Sequence, residues 1–144
     1  MMSNNNSNLL LLDTHVWIWL INGDQQLKSS KAITYIEKAA QHSNIRISAI
    51  SVWETGMLEA KGRISLKYDC IEWVNHALAG PGISLLPLTP EIAIKSSRLP
   101  GIFHGDPADR IIVASAMELN ASLVTKDRKI LKYCKSKNIN FINV

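Results

Sequence analysis

The sequence is constrained above all by the alternation of two hydrophobic periods. Apolar runs of strand length, at residues 9–12, 45–49, 83–88, 122–125 and 141–144, are separated by segments whose apolar residues recur at helical spacing. Runs that short, closed by polar or Gly/Pro signals, read as buried strands, and their alternation with helices is the signature of a mainly parallel sheet. The expected fold class is therefore α/β, a three-layer α/β/α sandwich with helices on both faces of the sheet.

Local signals divide the helices. After the first strand, Val16, Trp17, Leu20 and Ile21 make one apolar face. Ser29 or Ser30 can cap a helix whose inward stripe is Ala32, Ile33, Ile36, Ala39 and Ala40. Ser51 is expected to open a helix through Trp53, Met57 and Ala60 that Gly62 ends. Asp69 and Glu72 have the spacing of a capping box for a helix closed by Gly80 and Pro81. Pro87 should limit pairing at the end of its strand. Thr89-Pro90 and Asp106-Pro107 each read as an N-cap followed by a first-turn proline, and residues 99–105, with Pro100, Gly101 and Gly105, as the loop between. The second proline helix turns Ala108, Ile111, Ile112, Ser115, Ala116 and Leu119 inward, and residues 126–135 form the last helix.

At 144 residues the chain has the size of one domain, able to bury roughly two-thirds of its unfolded surface without disulfides or a structural metal. Residues 9–144 are expected to form that domain. The polar, Asn-rich residues 1–8 lack the basic start of a signal peptide and read as a frayed tail. Residues 9–21, the most apolar stretch, are interrupted by Asp13 and His15 and fall short of the ~20 residues of a membrane span. Cys70 and Cys134 make no CxxC pair, which fits a reducing cytosol, and the expected location is cytoplasmic. Neither G-x-G-x-x-G nor G-x-x-x-x-G-K-[ST] occurs, so no nucleotide cofactor is expected.

Several acids fall where a strand or loop gives way to a helix. Asp13 follows the first strand, Glu54 lies in the first turn of the helix after the second, Asp106 and Asp109 open the helix after the Gly/Pro loop, and Asp127 follows the strand at 122–125. Each has a structural reading. Ser51-x-x-Glu54 has capping-box spacing, Asp106 can be an N-cap, Asp109 benefits from the helix dipole, and Asp13 and Asp127 can be ordinary caps. In open α/β sheets, however, the carboxyl ends of parallel strands share one edge where ligands bind. Two carboxylates ~4 Å apart repel by about 1 kcal/mol in water and about 4 kcal/mol at an effective dielectric near 20, so a cluster requires protons or a cation. An all-oxygen site suits Mg²⁺ or Mn²⁺, and such ions on a phosphate support phosphodiester hydrolysis. Charge agrees with that substrate. The formal net charge is +4, yet residues 123–144 carry Lys126, Arg128, Lys129, Lys132, Lys135 and Lys137 against Asp127 alone, a local +5 that leaves −1 elsewhere. Such a segment either attracts phosphates or is a solvated helix face.

The succession LLLDTHVWIWL, ISAISVWETGMLEAKGRISL, LPLTPEIA and LPGIFHGDPADRIIVASAMELNASLVTKD resembles the PIN-domain ribonucleases, and within them the VapC-type toxins of bacterial toxin-antitoxin pairs. The resemblance runs from about Leu9 to Val144. It implies about five strands, an acidic pocket for Mg²⁺ or Mn²⁺, cleavage of RNA, a cognate antitoxin and a homodimer. It also implies that Asp13, Glu54, Asp109 and Asp127 hold the metals and position the attacking water, and that Thr125 steadies the site. Asp109 matches the family's Asp-led helix start in DRIIVASA, and Asp106, one turn earlier, is the alternative.

Thr14 is placed to support Asp13. His15, Arg110, Lys126 and Arg128 are candidate RNA contacts, although a His in a first helical turn is more often a packing or hydrogen-bonding residue and Arg110 can equally hold a carboxylate in place. Trp17, Trp19, Trp53 and Trp73 can stack bases, but their helical spacing favours packing. His104 is left open. Competing readings are a structure-specific DNA or RNA processing nuclease, a phosphoacceptor signalling domain, and a binding module with an inert acidic pocket. The signalling reading is weakened because such sites pair two acids near the first strand.

Overall fold

The computed structural model describes residues 8–144; the tail expected at residues 1–8 lies, but for Asn8, outside the described residues. The chain runs β1 (Leu10–Leu12), α1 (Thr14–Asn22), α2 (Gln25–Lys28), α3 (Ala32–Gln41), β2 (Ile45–Ser48), α4 (Ala49–Ala60), α5 (Cys70–Leu78), β3 (Ile83–Leu86), α6 (Pro90–Ser97), α7 (Pro107–Leu119), β4 (Ser122–Thr125), α8 (Arg128–Ser136) and β5 (Phe141–Asn143). The five strands form one sheet in the order β3-β2-β1-β4-β5, with every pairing parallel. The expected α/β/α sandwich is thus borne out, with a sheet that is wholly rather than mainly parallel.

This order explains the two helical layers. Strands are added outward on one side from β1 to β2 to β3, and then the chain returns to β4 on the other side of β1. Right-handed crossovers made in opposite directions deliver their helices to opposite faces. Accordingly α1, α2, α3 and α5 cover one face over Leu10, Leu12, Ile45, Ile47 and Val124. Helices α6, α7 and α8 cover the other over Leu11 and Leu123. Leu11 and Leu12 are completely buried on opposite faces, as strand alternation requires. Burying each such side chain contributes roughly 1.5–3 kcal/mol. Helix α4 packs against both α1 and α7, which carries Glu54 towards Asp13 and Asp109.

Several local readings are corrected. Ser48, not Ser51, caps α4 by accepting from the Ile50 amide at 3.1 Å. Asp69 stands at the N-cap of α5 without a side-chain cap bond, so the expected Asp69/Glu72 capping box does not form. The unforeseen α2 is capped by Asp24, and α8 starts after an Asp127 cap rather than at Lys126. Ile111 and Leu119 are only half-buried, whereas Val113 and Ala114 are buried, because α7 lies between the sheet and α6. Cys70 and Cys134 are free thiols. Among the described residues no helix is long and apolar enough to cross a membrane.

Candidate active site

The reversal of winding falls between β1 and β4, and at such a switch point the loops leaving the two strands part and open a crevice. Asp13 leaves β1 and Thr125 ends β4 at this point. A cavity of about 320 Å³ opens there, lined by Asp13, His15, Val16, Trp19, Glu54, Asp106, Asp109, Lys126 and Asp127. All five expected acids therefore share one cavity. As they stand, no three His, Cys, Asp or Glu side chains among the described residues are drawn together closely enough to hold an ion. The carboxylates ring the space rather than converge on one point, as mutual repulsion requires.

Three of the acids are caps as well as lining residues. Asp13 accepts from the Thr14 amide at 2.8 Å through Oδ1 and from the Thr125 hydroxyl at 2.6 Å through Oδ2. Asp106 Oδ1 accepts from the Asp109 amide and Asp127 Oδ1 from the Ile130 amide, both at 3.0 Å. A carboxylate offers about four acceptor sites, so one cap bond leaves most of its capacity for the cavity. Thr125 joins the two strand-end acids, because its hydroxyl also accepts from the Asp127 amide at 3.0 Å.

Glu54 is no capping residue. The Thr14 hydroxyl oxygen lies 2.5 Å from Glu54 Oε1 and 2.8 Å from Ser51 Oγ. Thr14 has one hydroxyl proton to give, which goes to the anionic carboxylate, while Ser51 donates to Thr14. Ser51, expected as a cap, is instead a buried relay one turn before Glu54 on α4. Its spacing to Glu54 was visible in the sequence, but its contact with Thr14 crosses 37 residues and has no local signal.

The charge state follows from burial and crowding. Asp13 is only 8% exposed. Its carboxyl is pushed above the usual range chiefly by burial, against the opposing hydrogen bonds from Thr125 and Thr14. Glu54 is raised by burial, with the Thr14 bond opposing and Asp13 adding. Asp109 is raised to about 7 by burial and then by Asp106, Asp13, Asp127 and Glu54, so it responds to every other acid of the ring. His104 Nδ1 accepts from the Asp106 amide at 3.4 Å, which leaves the ring proton of a neutral imidazole on Nε2, 3.2 Å from Asp109 Oδ2 but outside hydrogen-bond geometry. This histidine, left open by the sequence, sits against Asp109, whose carboxyl is raised to about 7.

The expected RNA contacts separate. His15 is exposed at the rim, with its ring 6.2 Å from that of Trp19, one helical turn away. Lys126 also lines the cavity, its ammonium 5.9 Å from the Trp19 ring centroid and 3.4 Å from Gln26 Oε1. Arg128 is exposed on α8 outside the cavity lining. Arg110 neither lines the cavity nor holds a carboxylate. Its guanidinium donates to the carbonyls of Ser96, Phe103 and His104 at 2.8, 3.0 and 3.3 Å, fastening the Gly/Pro loop to α6. Trp17 and Trp73 are buried edge to face in the core, with centroids 5.2 Å apart. Trp53 is 54% exposed on α4, and Trp19, read as packing, is a cavity wall.

Comparison with known proteins matches a model described as "PIN domain" to residues 10–136. The protein named Ribonuclease VapC22 of Mycobacterium tuberculosis is 35% identical over 123 residues, covering 84% of this chain and 88% of that protein. Among solved structures, VapBC2 from Rickettsia felis bound to a promoter DNA fragment superposes with a TM-score of 0.63 at 19% identity, covering 94% of this chain and 98% of that chain. DNA-bound VapBC from Salmonella typhimurium gives 0.64 at 16% identity, covering 94% and 97%.

Proposed function

Because the chain belongs to the PIN-domain family and, within it, to the VapC proteins, we propose that it is a Mg²⁺- or Mn²⁺-dependent endoribonuclease, the toxin of a toxin-antitoxin pair. Residues 9–144 act as one nuclease domain in the cytoplasm, as a homodimer restrained by a cognate antitoxin. The observation that carries the reading is the ring of five carboxylates on one cavity, with Asp109 raised to about 7 by its burial and then by the charges of the other four. The donor set is oxygen alone, which fits a hard divalent ion.

Asp13, Glu54, Asp109 and Asp127 would hold the ion, with Asp106 beside them. A bound Mg²⁺ or Mn²⁺ supplies Lewis-acid polarisation of the scissile phosphate and a more acidic water. The chain itself supplies orientation. Thr125 and the Thr14 amide fix both oxygens of Asp13, the Thr14 hydroxyl fixes Glu54, and Ser51 fixes Thr14. Carboxylates held this way have little freedom left to lose on binding. Lys126 and His15 stand at the rim to meet substrate phosphate, and Trp19 offers an aromatic wall.

The test is cleavage of single-stranded RNA with Mg²⁺, with EDTA, and with Asp13→Asn. Activity abolished by chelator and by the substitution is expected; undiminished activity in EDTA would refute the metal mechanism. Flap DNA assayed in parallel separates the toxin from a structure-specific processing nuclease.

A further inference from the structure

Helix α8 carries a charge pattern that the acidic cavity does not use. Its buried side is Ile130, Tyr133 and Cys134, which seal the second core. Arg128, Lys129, Lys132 and Lys135 are all exposed, and the spacing i, i+4, i+7 sets Arg128, Lys132 and Lys135 in one row along the helix. Among the described residues the only acid-base pairs within ion-pair distance are Lys95 with Glu118 and His104 with Asp109, so none of these cations is neutralised by a carboxylate. Like charges at i, i+4 destabilise a helix by a few tenths of a kcal/mol per pair, so the row gives the fold no stability of its own.

The row has a fixed relation to the site. Helix α8 begins at the Asp127 cap, on the cavity wall, and its nine residues run about 13.5 Å away from it. It is fastened to the loop that carries His104. The Tyr133 hydroxyl donates to the Pro100 carbonyl, and Lys137 lies across Gly101, with Nζ 2.6 Å from where a Cβ on that glycine would stand. The row is thus a rigid continuation of the cavity's edge, opposite in sign to the cavity itself.

We propose that this face of α8, through Lys132 and Lys135 in line with Arg128, is a phosphate track that holds the flanking strand of a single-stranded RNA whose scissile bond lies in the acidic cavity. The inference rests on the nuclease reading for its substrate, but it concerns binding and is tested apart from cleavage. The track would give the enzyme affinity for RNA length rather than for sequence, because phosphate contacts position a strand without reading bases.

Binding of fluorescein-labelled oligouridylate is measured by anisotropy in EDTA, where no cleavage intervenes, as salt is raised from about 0.05 to 0.2 M. The double substitution Lys132→Ala, Lys135→Ala should lower the slope of log affinity against log salt by about 1.4, near 0.7 for each lost single-strand contact. That corresponds to about 25-fold weaker binding at about 0.1 M salt, vanishing towards about 1 M. Lys132→Arg, Lys135→Arg should restore both, and Lys31→Ala, Lys38→Ala, at the N-cap and in the last turn of α3, should change neither. With Mg²⁺, the alanine pair should raise KM for long RNA and leave kcat and cleavage of a dinucleotide unchanged. An unchanged slope and affinity in a variant with the wild-type melting temperature would overturn the proposal, as would equal losses in the α3 control. Binding of polyglutamate that depends on Lys132 and Lys135, with RNA binding that does not, would overturn it by assigning the face to an acidic protein. If the wild type binds RNA with the expected slope yet cleaves none, the nuclease reading fails and the track stands.

Discussion

Asp109→Asn should stabilise the metal-free protein while destroying its activity. Moving a carboxyl from 3.8 unfolded to about 7 folded corresponds to up to ~4 kcal/mol of lost stability once the group is ionised in both states. The sign follows from proton uptake. The folded state binds this proton more tightly than the unfolded one, so stability falls as pH rises from about 4 to about 7, and the whole penalty is present above that. The Asp109 side chain keeps 19% of its exposure on an open cavity, so solvent screening reduces the figure to about 2 kcal/mol. A gain of about 1–2 kcal/mol should appear as a melting temperature roughly 3–6 °C higher for a chain of this size at pH 8 in EDTA. The gain should shrink as the pH is lowered towards 4 and reverse in saturating Mg²⁺, which stabilises only the variant that binds it. Thermal denaturation followed by circular dichroism at the two pH values, with and without Mg²⁺, measures all of this. An Asn variant no more stable than wild type at pH 8 in EDTA would refute the claim that repulsion and burial dominate this site.

Thr125→Val removes the hydroxyl that serves both Asp13 and the Asp127 amide. It should lose about 1–3 kcal/mol in urea unfolding and about 10- to 100-fold in activity, with the acid limb of the pH-rate profile moved upward because a bond lowering the Asp13 pKa is gone. Arg110→Met should lower stability by a similar ~1–3 kcal/mol yet leave the salt dependence of RNA binding unchanged, since its guanidinium is engaged by main-chain carbonyls. A lower salt slope would restore Arg110 as a phosphate contact. Gly82→Ala should be the most damaging of these for folding, at about 3 kcal/mol or more. Gly82 has φ +74, and a Cβ would stand 2.3 Å from the Ala40 carbonyl oxygen and 2.6 Å from its Cα, both main-chain atoms. Wild-type-like urea unfolding would contradict that geometry.

The central strand, Leu10–Leu12, was legible because a strand buried on both faces of a parallel sheet needs no polar alternation and reads as a continuous apolar run. Strand β2 showed itself instead by alternation, with Arg46 between Ile45 and Ile47. Helix α2 was not legible, since four residues are too few to display a helical period. The cap of α4 was misplaced by three residues because Ser48 and Ser51 are equally good caps, and only the end of β2 at Ser48 decides between them. That shift changes the meaning of Glu54, whose real partner is Thr14, 40 residues away. The carbonyl partners of Arg110 were hidden for a related reason. A charged side chain beside an acid in sequence says nothing of the loop carbonyls that the fold brings to it. The positions of the acids at strand ends and the caps made by Asp13, Asp106 and Asp127 were legible; the bonds of Asp13 to Thr125 and of Glu54 to Thr14 were not, because they are long-range.

The sequence also posed a false choice between cap and ligand, and Asp106 allows the two roles to be separated. At a switch point, helix N-termini converge on the cavity, so a carboxylate that caps through one oxygen alone, as Asp106 and Asp127 do, leaves the other for the site. The partial positive charge of each helix end, about half an elementary charge, offsets part of the cost of gathering such acids at α1, α7 and α8. Ser caps a helix about as well as Asp, so Asp106→Ser should leave stability within about 0.5 kcal/mol while removing one negative charge. Asp106 is exposed and Asp109 lies deeper, with Asp106 the foremost charge raising its pKa. If Asp109 is the principal third acid, the serine variant should keep cleavage within a few-fold, and the acid limb of its pH-rate profile should move downward as Asp109 ionises more readily. A loss of Mg²⁺ affinity of about tenfold or more, comparable with losing a group that fixes a metal ligand, with no movement of that limb, would assign the ligand to Asp106 and leave Asp109 as the acid it repels.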